Sequence, residues 1–284
     1  MQQIHFIGAN SCWGAQIRTC EEGPDQLKNA GLLEVLPHAT WESLYPSKRF
    51  AQENVPLSIS LPLIIDFNER LRNAVQKTLE RKELPIIIGG DHSIAVGTWS
   101  GVAAHIAKPM GLLWIDAHMD AHTPETSPSG AWHGMPLAAL LGHGEKAWVK
   151  PIIKPENLCL IGTRSFEAGE QALLKRLNVR IYEMAEVKKR GFKAVLAEAT
   201  QHICKHTAGY GISLDVDVVD PIDAPGVGSP EQGGIRGKEL LEGLHGVLKD
   251  PRLKAFEMVE FNPTLDSQEK TAHLCIQILK GLSL

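Results

Sequence analysis

Short runs of continuously apolar residues alternate along this chain with longer segments in which apolar residues recur every three or four positions, and this alternation limits the fold more than any other feature. The runs fall at 4–8, 84–89, 111–115, 157–162, 179–182, 211–216 and 255–260. The helix-period segments fall at 23–33, 66–81, the small-residue stretch through His105, 167–177, 191–206, 236–249 and 266–281. A run that is apolar on both faces must be covered on both faces, which is the situation of a parallel strand. Strand–helix–strand alternation then specifies right-handed crossovers. The expected fold class is α/β, a three-layer α/β/α architecture with a mainly parallel central sheet. No internal linker, repeat or low-complexity tract divides the chain, so a single domain over 1–284 is expected. Residues 38–60 carry little pattern and two prolines and read as a loop with a weak strand, and Lys188-Lys189-Arg190 reads as a solvated loop.

Composition removes several function classes. The net charge of −4 leaves no broad basic surface for nucleic acid or an anionic membrane, so a small-molecule partner is expected. The start lacks a basic segment followed by an apolar stretch, and no window reaches the roughly 18 apolar residues of a membrane helix. The five cysteines (Cys12, Cys20, Cys159, Cys204, Cys275) are odd in number, widely spaced and without a Cys-x-x-Cys pair. That pattern fits a reducing cytoplasm better than a disulfide framework.

In an open α/β sheet, ligands bind beyond the carboxyl ends of the strands, and that is where the polar residues gather. Asp116-Ala117-His118-Met119-Asp120 follows the run Gly111–Ile115. If strand geometry persists through it, period-two alternation points Asp116, His118 and Asp120 the same way. Such a convergence costs several kcal/mol unless a cation or solvent compensates it. Asp215-Val216-Asp217 repeats the pattern after 211–214, and His92 follows the run that ends at Gly89-Gly90. The bland alternatives are an Asp-rich surface turn and a Pro-terminated loop with solvated aspartates. Four aspartates and two histidines exceed the needs of one ion once solvent is counted, and fit two ions sharing carboxylates and a water whose pKa they lower. Oxygen-rich donors without thiolate favour Mn²⁺, although His and Asp also serve zinc.

Gly89-Gly90-Asp91-His92-Ser93, Asp116-Ala117-His118-Met119-Asp120 and Ser213–Pro221, with Glu22-Gly23-Pro24, Ser129–Gly134 and Glu260-Phe261-Asn262-Pro263, stand in one order and spacing. In that order the chain resembles the ureohydrolase (arginase/agmatinase) superfamily from about residue 4 to 280, and within it the arginases most. The resemblance implies a hydrolase with two Mn²⁺ per subunit, cleaving a guanidinium group by attack of a metal-bridging hydroxide. Its favoured reaction is L-arginine plus water giving L-ornithine and urea. It implies His92, Asp116, Asp120 and Asp215 as ligands or bridges of one ion, with His118 and Asp217 completing the second. Asp120 would hold the nucleophile's proton, His133 would shuttle protons and Glu260 would pair with the guanidinium. His122, Ser127, Ser129, Glu167 and Glu170 match positions that hold the amino-acid end of the substrate. Glu167 stands where aspartate is more usual, and His122 and Ala131 stand where asparagines are more usual. Trp132 either lines the pocket or packs beneath the loop. Family members are commonly trimers or hexamers, so a homo-oligomer is implied. The competing readings are an agmatinase or another guanidino- or formimino-acid amidinohydrolase, a catalytically silent metal-binding regulatory protein and, on fold analogy, a deacetylase.

Overall fold

The computed structural model describes residues 3–47, 56–106 and 108–282, so the part of the expected 38–60 loop at 48–55 lies outside it. β1 (Ile4–Ala9), β2 (Thr40–Leu44), β3 (Leu84–Gly89), β4 (Gly111–Ile115), β5 (Leu158–Ile161), β6 (Arg180–Tyr182), β7 (Tyr210–Asp215) and β8 (Leu253–Val259) form one eight-stranded sheet. Its order is β2-β1-β3-β8-β7-β4-β5-β6, and every neighbouring pair is parallel. The helices are α1 (Gly23–Leu27), α2 (Leu33–Val35), α3 (Leu57–Glu80), α4 (Ala95–His105), α5 (Pro136–Leu140), α6 (Ala168–Arg176), α7 (Met184–Arg190), α8 (Phe192–Ile203), α9 (Gly237–Val247) and α10 (Lys270–Lys280).

The apolar runs work as two-sided strands because alternate residues enter different cores. Ile86, Ile88, Leu113, Ile115, Cys159 and Ile161 pack with Leu27 of α1, Val187 of α7, Phe192 and Leu196 of α8, Leu244 of α9 and Ile278 of α10. Ile87, Leu112, Trp114, Leu158 and Leu160 pack on the opposite face with Phe67 and Leu71 of α3, Trp99 of α4, Leu140 of α5 and Leu174 of α6. Each Leu, Ile or Phe so buried contributes about 1.5–3 kcal/mol relative to exposure. The result is the expected three-layer α/β/α arrangement.

Three local expectations need correcting. First, α3 begins at Leu57 rather than near Asp66 and contains Pro62. A proline this close to the helix start removes one hydrogen bond, and burial of Ile64 and Phe67 on the same helix outweighs it. Second, Lys188-Lys189-Arg190 is the last turn of α7, stopped by Gly191 at φ 84°, with Arg190 paired to Glu186 at 2.7 Å. Basic residues suit the negative end of a helix dipole. Third, Cys12 and Cys20 form a disulfide, where none was expected. The loop after β1 doubles back on itself, which neither the odd cysteine count nor the spacing reveals. Cys159, Cys204 and Cys275 are free thiols.

Because all strands run the same way, their carboxyl ends share one rim. Five consecutive strands of the sheet, β3-β8-β7-β4-β5, deliver His92, Glu260, Asp215, Asp116 and Arg164 to it.

Candidate metal centre

The six candidate ligands meet at this rim, by turns rather than by strand alternation. β4 stops at Ile115, so Asp116–Asp120 is not extended and the period-two premise fails there. Instead the His118 amide donates to Asp116 Oδ1 at 2.7 Å, curling the chain, and Asp120 adopts φ 49°. The same device shapes the second segment, where the Asp217 amide donates to Asp215 Oδ1 at 2.9 Å. It recurs at Asp91, which accepts from the Ser93 amide at 2.8 Å and starts the turn that carries His92. Aspartate accepting from the amide two residues on is a local competitor of regular structure. At each of these strand ends it aims the next polar side chain inward.

His92 Nδ1 lies 3.4 Å from Asp116 Oδ2, 2.9 Å from Asp120 Oδ2 and 3.2 Å from Asp215 Oδ2. His118 Nδ1 lies 3.0 Å from Asp217 Oδ2 and 3.6 Å from Asp116 Oδ1. The ligand atoms therefore fall into two groups, His92/Asp116/Asp120/Asp215 and Asp116/His118/Asp217, joined through the two oxygens of Asp116. The His92 ring stacks on Trp114 at 4.1 Å, and the Trp114 indole donates to Asp116 Oδ2 at 2.9 Å.

The electrostatics call for cations. All four aspartates are buried. Burial and the neighbouring charges of Asp217 and Asp116 push Asp215 well above the carboxylate range. Burial and Asp116 push Asp120 up to about 6. For Asp116, burial is outweighed by the His118 and His92 imidazoles, which hold it below its ordinary value. His92 Nδ1 is buried without a hydrogen-bond partner among the described residues, and it points at three carboxylates. An orphaned imidazole nitrogen facing three buried carboxylates, beside a second set of His118 and Asp217 that shares Asp116, is the donor set of a divalent-cation centre, so the residues present fit two hard metal ions.

Above the ligands lies a cavity of about 100 Å³ lined in part by His118, Asp120, His133, Glu170, Ser229 and Glu260. His133 Nδ1 is 3.0 Å from Glu260 Oε1, and the same oxygen accepts from the His92 amide at 2.9 Å. Burial lowers the His133 imidazole, but Glu260, with Asp91 and Asp120, raises it further, and it settles at about 9. Glu260 is held below its ordinary value, because burial is outweighed by His133 together with His92. The His133 amide donates to Gly14 O at 3.2 Å, and Asp91 Oδ2 accepts from the Gly14 amide at 2.7 Å, so the disulfide-clipped loop braces this pair.

The remaining candidates sit further out. His122 lines the cavity; its Nε2 is 2.9 Å from Glu167 Oε2 and 3.6 Å from Glu170 Oε1. Glu170 also accepts from the Glu167 amide at 3.0 Å, and burial pushes its carboxyl up to about 8. Ser127 and Ser129 lie outside this lining, and their hydroxyls accept from the Gly130 and Ala131 amides at 3.1 and 3.2 Å. Trp132 packs beneath the loop: it is 8% exposed, donates to Leu57 O at 2.8 Å and meets Trp148 edge-on. Sequence reasoning passed over Ser213 and Glu257, which stand behind His92. His92 Nε2 is 2.9 Å from Ser213 Oγ, which donates to Glu257 Oε2 at 2.6 Å. A glutamate between Phe256 and Met258 in the middle of a buried strand was the legible signal for that pair.

Comparison with known proteins adds an independent line. The arginase of Bacillus caldovelox is 36% identical, over 99% of this chain and 98% of its own length. The solved arginase of Bacillus subtilis superposes with a TM-score of 0.90 at 36% identity, covering 99% of this chain and 98% of that one. An Entamoeba histolytica arginase solved in complex with L-ornithine gives 0.92 at 29% identity, covering 100% and 99%. The family model described as "Arginase family" matches residues 2–283, which places the whole site within it: the chain belongs to the arginase family.

Proposed function

We propose that this protein is a single-domain hydrolase of a guanidinium C–N bond, L-arginine being its favoured substrate and ornithine and urea its products. The observation that carries this reading is the pair of ligand sets sharing Asp116 beneath a cavity that also holds the His133–Glu260 pair. A guanidinium carbon is resonance-stabilised and resists attack by neutral water. Two divalent ions held by the two ligand sets, when bound, lower the pKa of water enough to make a nucleophile near neutral pH. Oxygen-rich donors favour Mn²⁺ in both positions.

The chain's own residues supply the rest. Glu260 pairs with the cationic guanidinium, as it pairs here with His133. Asp120, which lines the cavity beside His92, accepts the proton of the attacking water. As the new C–O bond forms and the C–N bond breaks, His133 delivers a proton to the departing amine nitrogen. At the far end, Glu167 and Glu170 hold the α-ammonium group, while His122, Ser127 and Ser129 hold the α-carboxylate. The part of this assignment that concerns His122 and Glu170 is supported by their place in the cavity lining, with Glu167 beside them.

One observation favours agmatine as a second reading. His122 Nε2 is already bound to Glu167, and Ala131 offers a carboxylate only its backbone. Side-by-side assay of urea release from L-arginine, agmatine and 4-guanidinobutyrate decides, and preference for agmatine overturns the arginine reading. No release from any of them, with two metals bound, would identify a silent metal-binding protein. By family resemblance we propose a trimer or hexamer, tested by light scattering. Among the described residues no helix is long and apolar enough to cross a membrane. A cytoplasmic setting is supported by the three free thiols, with the Cys12–Cys20 bond as the counter-indication. Thiol trapping of those two cysteines in cell extract tests it.

A further inference from the structure

The six candidate ligands leave unexplained why an arginine, a serine and a glutamate converge on the outer side of His118. That ring turns Nδ1 towards Asp217 and Asp116, so Nε2 faces outward, and Glu231 Oε1 stands 3.9 Å from it. The separation is longer than a hydrogen bond and within the span of one bridging water. The Glu231 carboxylate is fixed, because Ser165 Oγ donates to the same Oε1 at 2.9 Å. Its backbone is fixed as well. Arg164 Nη2 donates to Glu231 O at 2.8 Å and Nε to Gln232 O at 3.2 Å. The same guanidinium donates to Asp217 O at 2.8 Å, Val218 O at 3.2 Å and Gly162 O at 3.4 Å. A planar five-donor fork can serve these five carbonyls at once, beyond the three donors of a lysine. Arg164 thus ties together the segment that carries Asp217, the segment that carries Glu231 and the end of β5.

His92 is built on the same plan. Its Nδ1 faces the aspartates, and its outer Nε2 rests on Ser213, which rests on Glu257. Each candidate histidine therefore has a hydroxyl-braced carboxylate behind it. Glu257 is buried, and the Glu231 side chain is 38% exposed. A histidine that ligates through Nδ1 carries its proton on Nε2, and a carboxylate facing that N–H selects the tautomer and makes the ring a better donor.

We propose that Glu231, held by Ser165 and Arg164, is a positioning residue for the His118–Asp217 half of the centre, fixing His118 in the tautomer that presents Nδ1 to a divalent ion. This rests on reading the six residues as a two-ion site, and it concerns how one ion is held rather than which substrate is cleaved. The test is Mn²⁺ titration of the metal-free protein, with free Mn²⁺ followed by electron paramagnetic resonance, alongside the thermal midpoint of the metal-free form. The wild type is expected to take up two equivalents. Glu231→Gln should weaken one of them about 10–100-fold and leave the other, and the metal-free midpoint, unchanged. Ser165→Ala should act in the same direction more weakly, and Arg164→Lys more strongly, because it also frees the Asp217 backbone. Wild-type affinity for both equivalents in Glu231→Gln would overturn the proposal, as would equal weakening of both with a lowered metal-free midpoint. Fewer than two equivalents in the wild type would instead overturn the two-ion reading itself, and this proposal with it.

Discussion

Asp120 and Glu260 both adopt left-handed backbone, at φ 49° and 67°. Non-glycine residues hold such conformations only where their surroundings over-determine them. For Glu260 the surroundings are explicit: its amide donates to Gly90 O at 2.7 Å, and its carboxylate takes the His92 amide and His133. A carboxylate held by two contacts on Oε1, on a backbone pinned by a third, is preorganised for a cation. Glu260→Gln keeps the shape and loses the charge, so kcat/KM for the guanidino substrate should fall about 10–100-fold, the worth of one charged hydrogen bond. The His133–Glu260 pair also sets a pH dependence of stability in the metal-free protein. His133 is raised from 6.5 to about 9, so its contribution is complete below about 6.5 and disappears as pH rises through about 9. Glu260 is held below 4.5, so its contribution is present above that value and is lost as pH falls. The pair therefore stabilises most between those limits. Thermal midpoints of wild type and His133→Asn, each metal-free, should differ at a pH of about 6 and converge at about 10. A constant difference would remove this pair as the cause.

At the level of elements, the join after β3 is the tightest in the site. The Gly90 amide donates to Ala9 O at 3.0 Å, and a Cβ on Gly90 would lie 2.0 Å from Ser11 O. Gly90→Ala must push the β1 loop away from the turn that carries His92. Unfolding should become easier by at least about 1–3 kcal/mol, and Mn²⁺ uptake should weaken, measured by calorimetry. Strand positions and ligand identities were legible in the sequence because a buried parallel strand announces itself by a continuous apolar run, and buried carboxylates are conspicuous at its end. The aim of those carboxylates was not legible. Alternation predicted Asp116, His118 and Asp120 on one side of a strand, whereas amide-to-aspartate turns bring them together. Contacts made by loops were equally hidden: Ser165 with Glu231 and the Cys12–Cys20 bond depend on how loops fold back. The short α7 escaped because seven residues give barely two turns of periodicity.

For the molecule as a whole, four buried carboxylates crowded against two imidazoles make the metal-free state electrostatically poor. Ions that bind only the folded chain stabilise it by mass action, about 2.7 kcal/mol per site at 100 times the dissociation constant. Chelation should lower the unfolding midpoint, and Mn²⁺ should restore it with a logarithmic dependence on concentration in scanning calorimetry. Equal midpoints with chelator and with Mn²⁺ would count against the centre. The sheet order has a consequence for how such a molecule is made. β8 is the last strand among the described residues, and it lies between β3 and β7, pairing with both. A ribosome releases every candidate ligand from His92 to Asp217 before it releases the strand that brings the two halves of the sheet together. Until then β3 and β7 each lack a neighbour, and two apolar edges stand open to mispairing. The nascent chain is thus most vulnerable just before β8 emerges, and that strand closes the sheet and aligns the centre in one step.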